Sequence, residues 1–82
     1  MTRHQVTLPD LGLDNQPVSA GMWLVNGGRR VARGDQLIEI LAGSLVLDLP
    51  VPADGVLIEK LVEEGSPLRA GQLLAVVRSV EE

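Results

Sequence analysis

The sequence predicts an all-β fold, a flattened barrel or sandwich of two small antiparallel sheets with pseudo-two-fold symmetry. Three observations lead to this prediction. Short apolar segments recur between turn signals, which is typical of strands. Nine glycines and five prolines separate almost every segment, so no helix-length window keeps an apolar stripe with a period of 3.6 residues. A pattern of Gly, Val or Leu, Gly, and Asp or Gln also occurs twice, which indicates two similar halves.

The predicted strands follow one another along the chain with turns between them. The clearest strand lies at 45–49, where three leucines alternate with Val46 and Asp48. This period of two is the pattern of a strand with one buried face. The apolar segments that predict strands are Val6–Leu8, Met22–Val25, Leu37–Leu41, Leu45–Leu49, Val56–Val62 and Leu73–Val77.

The internal repeat relates "GRRVARGDQLIEI" at 28–40 to "GSPLRAGQLLAVV" at 65–77, with an offset of 37 positions. Outside these segments the match weakens, because Gly21 is three places out of step with Gly55. Halves this small cannot each bury a core alone, but they can when packed face to face. This arrangement places the hairpin tip of one half and the chain termini at opposite ends. The residues that the repeat predicts to be buried are Leu24, Val31, Leu37, Ile40, Leu47, Leu61, Leu68 and Leu74.

Length and composition narrow the class of protein. A chain of 82 residues predicts one domain, 1–82. Trp23 is the sole aromatic residue and the formal net charge is -4, so we expect no nucleic-acid partner, which would require stacking aromatics or a basic field. Absence of cysteine excludes disulfides and thiolate metal sites.

The sequence also predicts no membrane partner and a cytoplasmic location. No apolar run approaches the length of a membrane helix. The segment "MTRHQVTLPD" at 1–10 lacks the apolar core of a signal peptide.

Three possible sites have simpler interpretations. His4 has no partner His or Cys, and the acidic residues show no calcium-loop spacing, so no metal site is expected. The run at 26–28, Asn-Gly-Gly, lacks the Gly-Lys-Ser/Thr of a phosphate loop and is interpreted as a tight hairpin turn. Ser44 in "GSL" is similar to the phosphopantetheine serine of acyl carrier proteins. That serine, however, follows Asp and opens a helix, so we interpret Ser44 as a turn residue.

A cluster of arginines surrounds one predicted turn. Arg29, Arg30 and Arg33 lie there, and Glu63 and Glu64 occupy the matching turn of the other half. The interpretation that we favour is a solvated surface of mixed charge. The alternative is an electropositive patch that binds an acidic partner. Neither interpretation makes this cluster a catalytic site.

Four stretches in order carry a family resemblance. They are "VTLPDLG" at 6–12, "WLVNGGRRVARGDQLIEI" at 23–40, "DLPVPADGVL" at 48–57 and "LVEEGSPLRAGQLLAVV" at 61–77. Over about residues 5–78 the sequence resembles a lipoyl domain of the biotinyl/lipoyl-carrier family. The resemblance implies a barrel-sandwich hybrid fold, a packed Trp23, and lipoate or biotin carried on a lysine at a hairpin tip.

The attachment lysine of that family has no counterpart here. In lipoyl domains it lies in Glu-Thr-Asp-Lys-Ala, and in biotin carriers in Ala-Met-Lys-Met. Without a gap, the lipoyl pentad falls on Leu41, Ala42, Gly43, Ser44 and Leu45. Ser44 is thus a degenerate attachment position, and the one lysine of the chain, Lys60, lies in a predicted strand. A seryl hydroxyl is a weaker nucleophile than an amine and lacks the reach of the lysine stem.

These observations predict a non-enzymatic protein. The leading hypothesis is a lipoyl-like domain without cofactor, acting as a recognition or scaffold module. Its protein partner would be a component of a 2-oxoacid dehydrogenase, a glycine-cleavage-like system or a biotin carboxylase. The alternative is a true swinging-arm carrier of an acyltransferase complex, modified at an unexpected residue such as Lys60 or Ser44. A ligand-binding protein is disfavoured, because a filled aliphatic core leaves no room for a sizeable pocket.

Overall fold

The computed structural model describes residues 2–12 and 16–79, and in these residues every regular element is a β-strand. The prediction of an all-β fold is therefore confirmed. The strands are β1 (Arg3–Thr7), β2 (Val18–Trp23), β3 (Arg30–Val31), β4 (Gln36–Ala42), β5 (Leu45–Pro50), β6 (Gly55–Lys60), β7 (Pro67–Leu68) and β8 (Leu73–Arg78).

Two four-stranded sheets form the molecule. The first sheet has the order β1-β8-β6-β3, and the second has the order β5-β4-β2-β7. All strand pairs are antiparallel. Each sheet takes two strands from each half of the chain, so the halves exchange strands rather than packing as two separate units. This exchange explains how such small halves share one core.

The repeat is longer in the structure than in the sequence. An offset of 37 relates β2 to β6 and β3 to β7 with identical bounds after the shift, and it relates β4 to β8, which starts at the equivalent residue and ends one residue earlier. The hydrogen bonds follow the same rule: the Leu24 amide donates to the Leu37 carbonyl at 2.8 Å, and the Leu61 amide to the Leu74 carbonyl at 2.8 Å. The β2–β6 equivalence is not visible in the sequence, because "VSAGMW" and "GVLIEK" share no residues in register.

The core lies between the sheets and is aliphatic. Its largest fully buried side chains are Leu37, Ile38, Ile40, Val51, Leu57, Leu74 and Val77. Five of the residues predicted to be buried are so: Val31, Leu37, Ile40, Leu68 and Leu74.

The prediction was wrong for three leucines. Leu24, Leu47 and Leu61 are 40%, 37% and 45% exposed. Leu24 and Leu61 come immediately after β2 and β6 end, so the sheet no longer directs their side chains inward. Leu47 pairs with the buried Ile40 and therefore points to the same side of the sheet. It lies on an edge strand with one neighbour, which leaves the side chain partly uncovered.

Trp23 connects β2 to the segment that follows β6. Its indole Nε1 donates to the Val62 carbonyl at 3.0 Å, and its amide donates to Glu64 Oε2 at 2.9 Å. The Lys60 ammonium lies 5.2 Å from the centre of its ring. The prediction that Trp23 is a packed strand residue is confirmed.

The turn at 26–29 differs from its prediction. The Arg29 amide donates to the Asn26 carbonyl at 3.2 Å, which closes a tight turn. However, this turn joins β2 to β3, which lie in different sheets. The prediction of a hairpin there was therefore wrong, because Asn-Gly fixes the local reversal of the chain but not which strands pair afterwards.

Candidate functional site

The β4–β5 hairpin presents the predicted tip. The register runs without interruption from Glu39–Asp48 to Ala42–Leu45. Gly43 and Ser44 form the two-residue turn between the strands. Gly43 has a φ of 60°, the left-handed conformation that glycine adopts without strain. The exposed Ser44 side chain therefore lies at the tip of the hairpin. The turn contains no residue besides Gly43 and Ser44.

The tip is not a free loop on every side. A side chain added at Gly43 would meet Oε1 of Gln16, so the segment before β2 lies against the turn. Ala42 is completely buried, whereas Leu45 is 49% exposed. The tip is consequently packed in place at Ala42, whereas Ser44 and Leu45 are exposed and uncharged.

Lys60 is the last residue of β6 and is exposed. Its ammonium lies over the face of Trp23, an arrangement that contributes about 0.5–1 kcal/mol at an exposed position. Trp23 pairs with Ile38, four residues before the last residue of β4. At about 3.3 Å per residue, the contact lies about 13 Å along the strand from the hairpin turn. The lysine therefore does not substitute for an amine at the tip.

The other candidate residues lie apart from the tip. His4 belongs to β1 of the first sheet and pairs with Val77, whereas Ser44 lies in the turn between β4 and β5 of the second sheet. Among residues 2–12 and 16–79 there is no group of three or more His, Cys, Asp or Glu side chains able to hold a metal ion. Over the same residues, no helix is long and apolar enough to cross a membrane.

Arg29, Arg30 and Arg33 are all exposed, and they lie within β3 or on either side of it. Carboxylates lie among them: Asp54 Oδ1 accepts from the Arg33 amide at 2.7 Å, and Asp35 Oδ2 accepts from the Ala32 amide at 2.9 Å. The segment around β3 thus carries charges of both signs, and its role as a partner patch stays a prediction. A shallow groove of about 610 Å³ lies beside it, lined in part by Leu24, Asn26, Arg29, Arg30 and Gln36.

Two further arginines join this region in the structure, although no sequence pattern indicated them. Arg3 and Arg78 pair with each other on β1 and β8, and Val56 connects Arg78 to Arg30 across β6 and β3. No local pattern could have brought Arg3 and Arg78 together, because 74 residues separate them in the sequence.

Comparison with known proteins agrees with the geometry. The protein family described as "Biotin-requiring enzyme" (biotin/lipoyl) matches residues 4–77. The chain belongs to the biotin/lipoyl domain family. A biotin/lipoyl domain is a carrier domain without a catalytic centre of its own, so the chain is not itself an enzyme.

The curated relatives of this biotin/lipoyl domain are acyltransferase components. It is 31% identical over 78 residues to the succinyltransferase component of the 2-oxoglutarate dehydrogenase complex of Escherichia coli K12, covering 95% of this chain and 19% of that protein. It is 27% identical over 79 residues to the lipoamide acyltransferase component of the branched-chain alpha-keto acid dehydrogenase complex of Bacillus subtilis 168, covering 96% and 19%. The chain thus spans about a fifth of the length of these relatives.

A solved structure shows the same fold. The lipoyl domain of the 2-oxoglutarate dehydrogenase complex from Azotobacter vinelandii superposes with a TM-score of 0.76 at 23% identity, covering 92% of this chain and 95% of that one. The fold implied by the sequence resemblance is therefore confirmed: two antiparallel sheets arranged as in a lipoyl domain.

Proposed function

We propose that this biotin/lipoyl domain carries no prosthetic group and acts as a protein-recognition or scaffold module. The observation that carries the proposal is Ser44 in the two-residue turn of the β4–β5 hairpin. This is where the family resemblance places the attachment lysine. We further propose that the chain is one domain, 1–82, in the cytoplasm.

The hairpin register supports the placement of the attachment position. A shift of one residue would require an additional residue in the turn or a bulge beside it. From Glu39 to Ala42 the pairing with β5 has neither. The register shift in this strand pair lies at the other end of the hairpin, between Gln36 and Ile38.

The residues at the tip do not fit lipoate or biotin. Both groups are attached through an amide to a lysine amine, and Ser44 offers a hydroxyl on a one-carbon stem. The polar residues of the family pentad are also absent, since Leu41, Ala42 and Gly43 replace them. We therefore assign the tip no step in acyl or carboxyl transfer.

The relatives suggest the kind of partner. Their names place them in 2-oxoglutarate and branched-chain alpha-keto acid dehydrogenase complexes. We propose a component of a 2-oxoacid dehydrogenase, or of a biotin-dependent system, as the partner of this chain.

The competing function is a swinging-arm carrier modified at another residue. The exposure of Lys60 at the end of β6 favours this alternative. The experiment is to express the chain with a lipoate ligase and, separately, with a biotin ligase, and to measure the intact mass. We expect the mass of the unmodified sequence, allowing for removal of Met1. An adduct that maps to Lys60 and disappears in Lys60→Arg, or one that maps to Ser44, would establish the carrier instead.

A gain-of-function series tests the placement of the tip. Ser44→Lys alone should be modified poorly, because Leu41 and Gly43 give a ligase no polar contacts. The triple change Leu41→Glu, Gly43→Asp and Ser44→Lys should be modified more completely. Asp tolerates the left-handed conformation better than most residues, and the flexible end of Gln16 can move aside.

The series leaves Ala42 unchanged at first, because that side chain is completely buried. The full change to Glu-Thr-Asp-Lys-Ala at 41–45 is the final member, and its thermal melting shows whether threonine is accommodated at 42. If the triple and full variants fold and remain unmodified by a ligase that modifies a lipoyl domain in parallel, the placement at Ser44 is wrong.

A further inference from the structure

Three arginines lie in register across the first sheet. Arg3 pairs with Arg78, Arg78 pairs with Val56, and Val56 pairs with Arg30. We call Arg3, Arg78 and Arg30 the arginine row. Residues directly opposite in antiparallel strands project from the same face, so the three side chains leave the sheet on one side.

That side is the outer face of the sheet. The alternate positions beside the row are buried, as expected of residues that point into the core. These buried neighbours are Val31, Leu57 and Val77. Arg3 and Arg30 are exposed and Arg78 is half-buried, so the row forms a surface that a partner can reach.

The row is unfavourable in the isolated chain. Like charges directly opposite on neighbouring strands are destabilising, and Arg3 and Arg78 form such a pair. In addition, Nε of Arg78 is buried and has no hydrogen-bond partner among residues 2–12 and 16–79. A buried donor without an acceptor loses its hydration and gains nothing in return. An anion bound at this face would offset the repulsion between the guanidinium groups, and a rotation of the Arg78 side chain toward it would also give Nε an acceptor.

The symmetry of the molecule shows that the fold does not need these charges. The equivalent row in the second sheet runs through Val46, Leu41, Ser19 and Pro67, connected by the same strand pairs. It contains no charged residue. The second sheet has the same architecture without charged residues at these positions. The fold therefore does not require the arginines of the row.

We propose that the arginine row binds an extended acidic segment of a protein partner. Neighbouring strands lie about 4.8 Å apart, so the row spans about 14 Å from Arg3 to Arg30. In an extended peptide, three carboxylates at alternate positions span about 13 Å. The two outer carboxylates match Arg3 and Arg30, and the long Arg78 side chain can reach the middle one to form a charge-assisted contact. Val56 provides an apolar surface between Arg78 and Arg30.

A peptide fits this face better than a nucleic acid. The chain has a net charge of -4, which repels a long polyanion but allows a local contact with a short acidic segment. The single aromatic side chain, Trp23, lies in the second sheet, so no ring stacks on bases beside the row. Binding at the row does not depend on whether Ser44 carries a prosthetic group, so this proposal and the proposed function fail independently.

The test is an NMR titration of the ¹⁵N-labelled full chain with acetyl-Glu-Ser-Glu-Ser-Glu-Ser-Glu-amide at low salt. We expect the largest shifts at the amides of Arg3, Val56 and Arg78, and weaker binding when salt is raised. The double variant Arg3→Gln/Arg30→Gln should bind at least about tenfold more weakly, since two charge-assisted contacts are lost.

The matched control is Arg29→Gln/Arg33→Gln, which removes the same charge from the neighbouring turn. It should weaken binding by less than about threefold, as expected from long-range attraction alone. Both double variants should melt no lower than the parent chain, because none of the four side chains is buried.

Four results would overturn the proposal. The control could weaken binding as much as the row variant, or the shifts could centre on 29–33. The peptide with Gln in place of Glu could bind equally well. Finally, a twelve-residue oligothymidylate could produce the same shifts at lower concentration than the peptide, which would indicate a nucleic-acid surface.

Discussion

The two halves of the molecule share one framework of hydrogen bonds and differ at their ends. The Ala32 amide donates to Asp35 Oδ2 at 2.9 Å, and 37 positions later the Arg69 amide donates to Gln72 Oε1 at 2.9 Å. The first half then closes in the Gly43–Ser44 hairpin. At the corresponding end of the second half, Ser79 at the end of the described residues lies beside Thr2.

Backbone and side-chain hydrogen bonds join Thr2 to Ser79 at that end. The Ser79 amide donates to the Thr2 carbonyl at 2.7 Å, and the Ser79 hydroxyl donates to the same oxygen at 3.1 Å. The shared framework therefore stabilises the fold, whereas the features that distinguish this chain lie where the symmetry is broken: the uncharged tip at one end and the arginine row at the other.

Trp23 and Lys60 show how a broken symmetry becomes a contact. They occupy equivalent positions, the last residues of β2 and β6. The two side chains differ in type and contact each other, with the Lys60 ammonium 5.2 Å from the centre of the Trp23 ring. The pair joins the two halves because one side chain is aromatic and the other cationic.

The largest expected effect tests whether equivalent core residues of the two halves contribute equally to stability. Leu37 and Leu74 are equivalent and fully buried, so Leu37→Ala and Leu74→Ala should each lower the free energy of unfolding by about 2–5 kcal/mol. Leu24→Ala and Leu61→Ala form the matched exposed pair and should lose about 1 kcal/mol or less. Urea denaturation measures all four. A loss at Leu24 or Leu61 equal to that at Leu37 would contradict the assignment of faces.

The next effect concerns a position where the halves differ. A side chain at Gly55 would collide with the backbone carbonyl of Arg78, whereas the equivalent residue in β2 is Val18. Gly55→Ala should therefore lower the free energy of unfolding by about 1–3 kcal/mol. Gly27→Ala is the control, because nothing lies within 4 Å of a side chain added there. Equal melting of the two variants would show that β6 and β8 separate easily at this end.

A smaller effect tests the two equivalent turns. Asp35→Ala and Gln72→Ala each remove the acceptor of one side-chain hydrogen bond in the turn. Each change should lower the free energy of unfolding by about 0.5–1.5 kcal/mol. Thermal or urea unfolding measures this loss. The loss of stability should be larger for Asp35→Ala than for Gln72→Ala, since a carboxylate is a stronger hydrogen-bond acceptor than an amide. The reverse order would mean that the turns are not energetically equivalent.

The smallest effect concerns the ends. Ser44 is exposed in the turn, so Ser44→Lys should change the free energy of unfolding by no more than about 0.5 kcal/mol. The same change at Ser79, which is buried and bonded to Thr2, should cost more than about 1 kcal/mol. Equal losses in urea denaturation would show that Ser79 is no more constrained than the exposed Ser44.

The part of the site that the sequence could predict is local. Gly43 and Ser44 form a turn between two alternating strands, and a two-residue reversal depends on the residues within it. Leu37 and Leu74 could also be predicted to be buried, because the internal repeat places a leucine at the same position of both halves.

Side chains near strand ends and edges could not be predicted in this way. Leu24 and Leu61 continue the apolar pattern beyond the last paired residue, where the sheet no longer fixes their direction. Leu47 has the correct face but lies on an edge, and a strand's place in its sheet is not a property of its own residues.

The sequence by itself determined an all-β chain with a repeated unit, a short hairpin tip and no lysine within it. Only the tertiary structure decided which strands exchange between the sheets and which residues pair across them. The arginine row is the clearest case, because Arg3, Arg30 and Arg78 are distant in sequence and join through the registers of β1, β8, β6 and β3. Register between distant strands is set by the shared core that all of them bury, so no segment of the chain specifies it alone.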